Sequence, residues 1–526
     1  MTRMRRVAVV VVGLAGCFGP SLGNQPFKCG EHGECPPDYM CDRVSGFCTQ
    51  GPATNVDAPT GGQPDARIPV PDARPGPDVP VVGIPDAHPG PDVPVVGMPD
   101  APIVGVPDAP ACVTHCEGDD LVTCTPGGSV RTTCAVGCTE TGGPPACLFL
   151  VPTNLTQSAC KTPATTDQIH IASNRTIDTG QCGSGETGGV PVDNVDPPLC
   201  IYRAASYTVD ASVTLRFIGP RVPILVATHQ FILAGTIDVG AQGHAAGPGS
   251  PSDQFAKGTG ADAADPVGGS GGGGGGAGHD LFGGNGGLGT FDFNGAAGGE
   301  DYGVPELSPI EPGAFGGAGA LTCSPAGPAC PDLVPGAGGG AVQIVGCDTL
   351  AIGAMAVVNA GGGGGSGGPG SQFLGPPSGG SGGGSGGAIL IEAPIVTAPA
   401  GSALGALGGG GGGGGGLTLD ATVGEPGKPG GDGSCAVGKR CAVGLGGAGG
   451  GGQSPGGAGG NGGSDTAPED GESTGDQVGN DVVISGGGGG GSAGRIRINT
   501  RRDKPPPVLD GFVDPTPTLG DIVRRR

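Results

Sequence analysis

Three times in its C-terminal half the chain runs through a stretch of glycine and breaks into an alternating apolar segment. The stretches are GAGGGAVQIVG at 336–346, GGGSGGAILIEA at 382–393 and GGGGSAGRIRIN at 488–499. This junction limits the fold more than any other feature. Glycine has no side chain to bury and loses the most backbone entropy on ordering. The segments that follow have the period-two alternation and branched side chains of β-strands. The chain holds 121 Gly and 54 Pro but 13 Phe, 4 Tyr and no Trp. A core without large rings has to rest on Val, Ile, Leu and Ala in narrow, stacked β layers.

The strand pattern repeats. Ile224–Gly243, Val342–Gly361 and Ile389–Gly408 share one plan: a short strand, a break, a second strand, then a third that ends in glycine. Arg495–Asn499 starts a fourth copy, and TID-x-G occurs at both 176–180 and 236–240. Three short strands in roughly 20 residues is the rhythm of a parallel β-helix coil, which buries its apolar face only by stacking. Long glycine insertions at 241–340, 362–388 and 409–493 all leave after the third strand and return before the first. The expected fold class is mainly β: a right-handed parallel β-helix or solenoid over 160–500 with long Gly-rich insertions. Small disulfide-rich modules and a disordered Pro-rich linker precede it. In architecture this part resembles glycine-rich, β-helix-like bacterial surface proteins. The insertions either pack as bundled polyproline-II-like helices, as in the glycine-rich tips of some phage adhesins and some antifreeze proteins, or form a flexible brush.

The N-terminal part reads as an export and anchoring device. MTRMRRVAVVVVGLAGC has a basic start and an apolar stretch too short to span a bilayer. Leu14-Ala15-Gly16-Cys17 resembles the lipobox of bacterial lipoproteins. That resemblance implies a signal peptide over 1–16, lipidation at Cys17 and, with Phe at 18, an outer-membrane location facing the cell surface. Two or three acyl chains give durable anchoring. Residues 17–51 then hold a four-cysteine mini-module with Cys29, Cys35, Cys41 and Cys48, whose connectivity stays open. Residues 52–111 form a linker in which PDARPGPDVPVVGI is followed by PDAHPGPDVPVVGM. As extended polyproline II it would reach about 180 Å, an upper bound, and it reads as a stalk. A six-cysteine module at 112–150 carries Cys112, Cys116, Cys124, Cys134, Cys138 and Cys147, with disulfides preferred over a zinc site using His115. Cys323 with Cys330 and Cys435 with Cys441 are read as local disulfides in the insertions, which leaves Cys160, Cys182, Cys200 and Cys347 for the scaffold. Residues 501–526 read as a loosely attached tail. The whole resembles bacterial, myxobacterial-type, glycine- and cysteine-rich surface lipoproteins.

No reaction chemistry emerges. GGSGG at 383–387 fits G-x-S-x-G but lacks a strand-to-helix turn and triad partners. In GEPGKPG at 424–430 proline follows Lys428 where a phosphate loop needs Ser or Thr. The histidines, at 32, 88, 115, 170, 229, 244 and 279, show no metal-ligand spacing, and His279-Asp280 reads as a solvent-exposed tip. No catalytic, cofactor-binding or metal residue is therefore expected. The formal charge of −23 with scattered basic residues disfavours nucleic acid. The expected partners are the membrane, through the lipid anchor, and an extracellular polysaccharide or other cell-surface polymer. The expected function is non-enzymatic, structural or adhesive. A polysaccharide-active enzyme on the same scaffold, using pairs such as Asp119-Asp120 or Glu300-Asp301, is the runner-up. A protective matrix protein without a specific ligand is third.

Overall fold

The structure is a computed structural model that describes 39–42, 47–50 and 112–526, the last without 157, 162–166, 185–187, 252–255, 265–270, 291–294, 323–332, 373–375, 420–422, 474, 476 and 479–480. The chain divides into two units, Met1–Ile103 and Val104–Arg526. In the first unit, Tyr39–Asp42 and Phe47–Gln50 form an antiparallel hairpin with Cys41 in register with Cys48. The signal segment, Cys17, Cys29, Cys35 and the linker to 111 lie outside the described residues.

The second unit is mainly strands, and its described helical element is one 3-10 turn, Thr179–Gln181. Its large parallel sheet is curled into a half-barrel. The strands make three parallel ladders. Ladder A stacks the first halves of Leu199–Val209 and Val222–Leu233, then Ala341–Gly346, Ala388–Glu392, Arg495–Thr500 and Thr518–Asp521. Ladder B stacks Gln168–Ile171, the second halves of the two long strands, Thr349–Ile352, Val396–Ala398 and Val508–Leu509. Ladder C runs Arg175–Asp178, Thr214–Ile218, Thr236–Asp238, Val357–Asn359, Ala403–Gly405 and Phe512–Asp514. In chain order the strands visit A, B and C in turn, and every long insertion lies between a C strand and the next A strand.

Alternation along ladder A decides what each face packs against. Leu225, Val342, Ile344, Ile389, Ile391, Ile496 and Ile498 join the interior core with Phe217, Phe231 and Leu404. The other face carries Ile224, Val226, Val345 and Leu390, which are covered by Val136, Leu150, Leu307 and Ile310. The shared strand plan is thus present, with a one-residue correction: Ile224 pairs with Gln343 rather than with Val342. The tail also differs from expectation. Residues 501–526 supply one further rung to each ladder, and Val523–Arg525 pairs antiparallel with Phe149–Val151. Its prolines fall at corners, 505–507 between A and B and 515 and 517 between C and A, where no ladder amide is needed.

The glycine insertions pack as a lattice of extended segments. Around 408–416, Gly408, Gly411 and Gly414 donate to the carbonyls of Gly463, Gly460 and Gly457. Gly409, Gly412 and Gly415 donate to Gly384, Ser381 and Ser378, and Gly410, Gly413 and Gly416 to Gly431, Lys428 and Glu425, all at 2.8–3.0 Å. The same segment accepts from Gly365 and Gly368, from Gly444, Gly447 and Gly450, and from Gly488 and Gly491. Bonds that recur every third residue, all to other segments, are the signature of polyproline II geometry with three residues per turn. Six neighbours surround this segment, so no side chain fits on any of its three faces. A methyl on Gly411 would lie 2.1 Å from the Gly488 carbonyl oxygen, on Gly412 1.9 Å from that of Ser366, and on Gly413 2.2 Å from that of Ala448.

Gly411→Ala is therefore expected to lower the unfolding free energy by about 3 kcal/mol, through overpacking against backbone that cannot rotate away. Leu445→Ala, on an outer segment where the side chain is 68% exposed, should stay within about 0.5 kcal/mol. Urea unfolding of the two variants checks the contrast.

Candidate binding cleft

Between the Pro-rich turns of the ladders and the edge of the glycine lattice lies a cleft of about 870 Å³. Asp196 and Pro220 line it from the ladder side. His244, Lys257, Tyr302, Glu311 and Phe315 line it from the insertion between 241 and 340. The volume falls in the range of ordinary ligand sites.

A set of fixed titratable groups lies beside the cleft. His279 follows the innermost glycine segment and is fully buried, which overturns its reading as an exposed tip. Its Nδ1–H donates to the Gly386 carbonyl at 2.9 Å, and its ring lies 4.6 Å from that of Tyr302. Nδ1 as donor leaves Nε2 as an acceptor, and Nε2 has no partner among the described residues. Burial, and then the Arg495 charge, lower the His279 pKa to about 3, so the imidazole is neutral. The Tyr302 phenol donates to the Pro312 carbonyl, and burial holds it far above the ordinary phenol range.

Arg495 opens a ladder A strand, directly after the third glycine run. It pairs with Asp280 at 2.6 Å and donates through Nη2 to the carbonyls of Tyr302 (3.2 Å) and His279 (3.4 Å). Its Nε–H has no partner among the described residues. Burial raises the Asp280 pKa against the pull of Arg495. Glu311 Oε1 meets Lys257 at 3.2 Å on the rim. Gly303, at φ +75°, lies where these groups converge. A methyl on it would be 3.0 Å from Glu311 Oε2, 3.6 Å from His279 Nε2 and 3.8 Å from Arg495 Nε.

Glu392, Asp119 and Asp120 are structurally committed. Buried Glu392 accepts from the Thr153 amide (3.0 Å) and hydroxyl (2.7 Å), Gln343 (2.6 Å) and Asn499 (3.0 Å), with its pKa raised by burial. Those four donors leave no lone pair for a ligand. Asp119 is bound by Arg501 at 2.8 Å and Lys504 at 2.6 Å, and Asp120 by Arg131 at 2.8 Å. Asp119 is thus part of the contact between the six-cysteine module and the ladders, and Asp120 pairs within the module. Glu300 and Asp301 are exposed. Ser385 of GGSGG is fully buried, and its hydroxyl accepts from the Ala314 amide at 2.9 Å.

The cysteines of the second unit pair Cys112 with Cys124, Cys116 with Cys138 and Cys134 with Cys147. They also pair Cys160 with Cys347, Cys182 with Cys200 and Cys435 with Cys441. The C-x₃-C spacings therefore do not bond internally, and His115 Nδ1 contacts the Val113 carbonyl at 2.8 Å. Cys323 and Cys330 lie outside the described residues. Among the described residues no group of three or more His, Cys, Asp or Glu side chains is placed to hold a metal ion. No family model, curated protein or solved structure matches the chain.

Arg501 carries the module contact and shows how it depends on pH. Its side chain is 2% exposed and pairs with Asp119 and, at 2.5 Å, with Asp503. Hydrogen bonds from Arg501 are the largest cause holding both carboxylates below the ordinary Asp value of 3.8. A folded pKa below the unfolded one gives stability that is present above the unfolded value and lost as pH falls through the folded one. Acid should thus weaken the contact below about pH 4. Arg501→Ala should cost about 3 kcal/mol at neutral pH and flatten that acid limb, as read by unfolding midpoints between pH 2 and pH 7.

Proposed function

We propose that the chain is a lipid-anchored cell-surface protein of structural or adhesive function, held to the outer membrane through Cys17 and lifted on the Pro/Asp-rich stalk. In this reading each passage of the chain through ladders A, B and C is one coil of a right-handed parallel β-helix, and the glycine lattice is the presented surface. The six-neighbour packing around 408–416 supports it most directly. A flexible brush would leave glycine amides to water, whereas here they bond in three directions every three residues. Such a surface is rigid and has few side chains. That suits contact with an extended polymer, because neither partner has much side-chain entropy to lose. Disulfide pairs throughout the second unit support export to an oxidising compartment. The cleft supplies a concavity such a protein would use for a specific unit of that polymer.

Metabolic labelling with a radiolabelled fatty acid tests the anchor. Wild-type protein should incorporate label and fractionate with membranes, and Cys17→Ala should lose both. Undiminished labelling of the variant would overturn the anchoring claim. Binding of the purified chain to insoluble polysaccharides and to whole cells tests the adhesive claim, and its absence from both would favour a matrix protein without a ligand.

A further inference from the structure

Glu392 lies between two side chains that can react with each other. Its Oε1 accepts from the Thr153 hydroxyl at 2.7 Å, and its Oε2 accepts from Gln343 Nε2 at 2.6 Å. Asn499 Nδ2 and the Thr153 amide, each at 3.0 Å, hold the carboxylate in place. The Gln343 carboxamide is oriented from both ends. Nε2 also donates to the Thr153 carbonyl at 2.6 Å, and Oε1 accepts from Asn154 Nδ2 at 3.4 Å. Asn154 lies in the left-handed region at φ +62°, which Asn tolerates better than most residues. Its Nδ2 is fixed by the Leu307 carbonyl at 2.9 Å. Gln343 is fully buried and Glu392 is 1% exposed. A hydroxyl on a carboxylate base, a leaving nitrogen on the same carboxylate and an N–H at the carboxamide oxygen are the parts of an acyl transfer. Burial raises the Glu392 pKa, which makes its carboxylate a stronger base than an exposed one.

We propose that Thr153 and Gln343 form an intramolecular ester cross-link, with Glu392 as the acid–base catalyst. Thr153 Oγ1 bonds to Gln343 Cδ while Glu392 takes the hydroxyl proton, and the carbonyl electron pair moves onto Oε1 beside Asn154. The tetrahedral centre collapses by breaking the Cδ–Nε2 bond. Glu392 returns the proton to that nitrogen, and ammonia leaves. One ester forms, one primary amide is lost and one ammonia is released, with no change of oxidation state and no co-reactant. Fixed partners replace a chance encounter, and escape of ammonia to solvent draws the step forward. Burial then keeps water from the ester. The bond ties the segment that leaves the six-cysteine module to strand Ala341–Gly346 of ladder A. Cys160–Cys347 joins the same two stretches further along, so the entry to the ladders is locked twice, once by a bond that reductants do not break. The inference is independent of what the lattice surface binds.

Peptide mass spectrometry of the purified full chain, reduced, alkylated and digested, tests this. The peptides that carry Thr153 and Gln343 should appear joined, lighter than their sum by one ammonia, about 17 Da. Alkaline hydroxylamine should split them and leave a hydroxamate at position 343, which marks the bond as an ester. Thr153→Val and Glu392→Gln should lose the link, and Thr153→Ser, which keeps the hydroxyl, should retain it. Thr153→Val leaves Glu392 its Asn499 and Gln343 donors, so an unchanged unfolding transition with the link gone separates a missing nucleophile from a lost fold. Separate wild-type peptides of full mass would overturn the proposal and reduce the constellation to hydrogen bonds, with the adhesive reading untouched. A link that persists in Thr153→Val would overturn the assignment of the nucleophile.

Discussion

The second unit depends on one constraint: backbone packed against backbone so closely that no Cβ fits between. A lattice segment with six neighbours has all three of its polyproline-II faces occupied; at 408–416 every residue is glycine, whereas 378–387, with six neighbours of its own, admits the small buried side chains of Ser378, Ser381 and Ser385. An outer segment packs two faces and can carry a side chain at every third position, as in GLGGAGG at 444–450, where Leu445 and Ala448 point outward. An edge segment packs one face and needs glycine only every third residue, as in GEPGKPG at 424–430, where Glu425, Pro426, Lys428 and Pro429 are exposed. At 444–450 and 424–430 the glycine period therefore follows the number of packed faces. The large entropy cost of ordering glycine is offset by backbone hydrogen bonds that satisfy nearly every donor and acceptor of the inner segments.

Some of the acidic residues serve the same geometry. At the lattice rim an outward amide has no neighbouring carbonyl, and carboxylates take its place. Asp432 accepts from the amides of Gly243 and Gly364 at 3.0 and 2.8 Å. Asp262, Asp470 and Glu472 accept from Ala318, Asn285 and Ala458 at 2.6–2.8 Å. The corners where the chain leaves ladder C use a related device. Asp178 and Asp238, in the two TID-x-G motifs, accept from the amides of Gly180 and Gly240 two residues on, at 2.8 and 3.1 Å. Asp238 also binds Arg216 on one side and Asn359 on the other, in the same column of ladder C. One rung on, that column holds Gly405, and the Cys435–Cys441 disulfide occupies the space a side chain would need.

The order of strands and the common exit of the insertions were legible in the sequence, because period-two alternation and glycine termini mark them locally. Register at the first copy was not. Val222–Leu233 is apolar on both faces for its first six residues, so alternation cannot tell Ile224 from Leu225. The tail was not legible because proline normally stops a strand, whereas its prolines occupy corners between ladders that need no amide. The cleft was the least legible part. Flanking glycines made His279 look like a loop tip, yet glycine is also what buries it: the segment 271–278 is central to the lattice, and its last residues carry His279 inward. Only the three-dimensional lattice brings Gly303, Glu311 and Arg495 to that histidine.

Arg495 shows why the lattice and the cleft cannot be separated. Its Cα belongs to ladder A, in register with Ala388. Its guanidinium reaches out to Asp280 and to the carbonyls of His279 and Tyr302, all on one glycine-rich insertion. His279 in turn bonds to Gly386, in the run that leads into the preceding ladder A strand. The groups at Gly303 are thus fixed from both sides of the point where the chain returns from the lattice to the ladders. A strand register shift or a side chain forced into an inner glycine segment would move them together. The glycine-to-strand junction is both the hinge on which the two packing modes meet and the reason a polar group can be held fixed in a protein with so few large side chains.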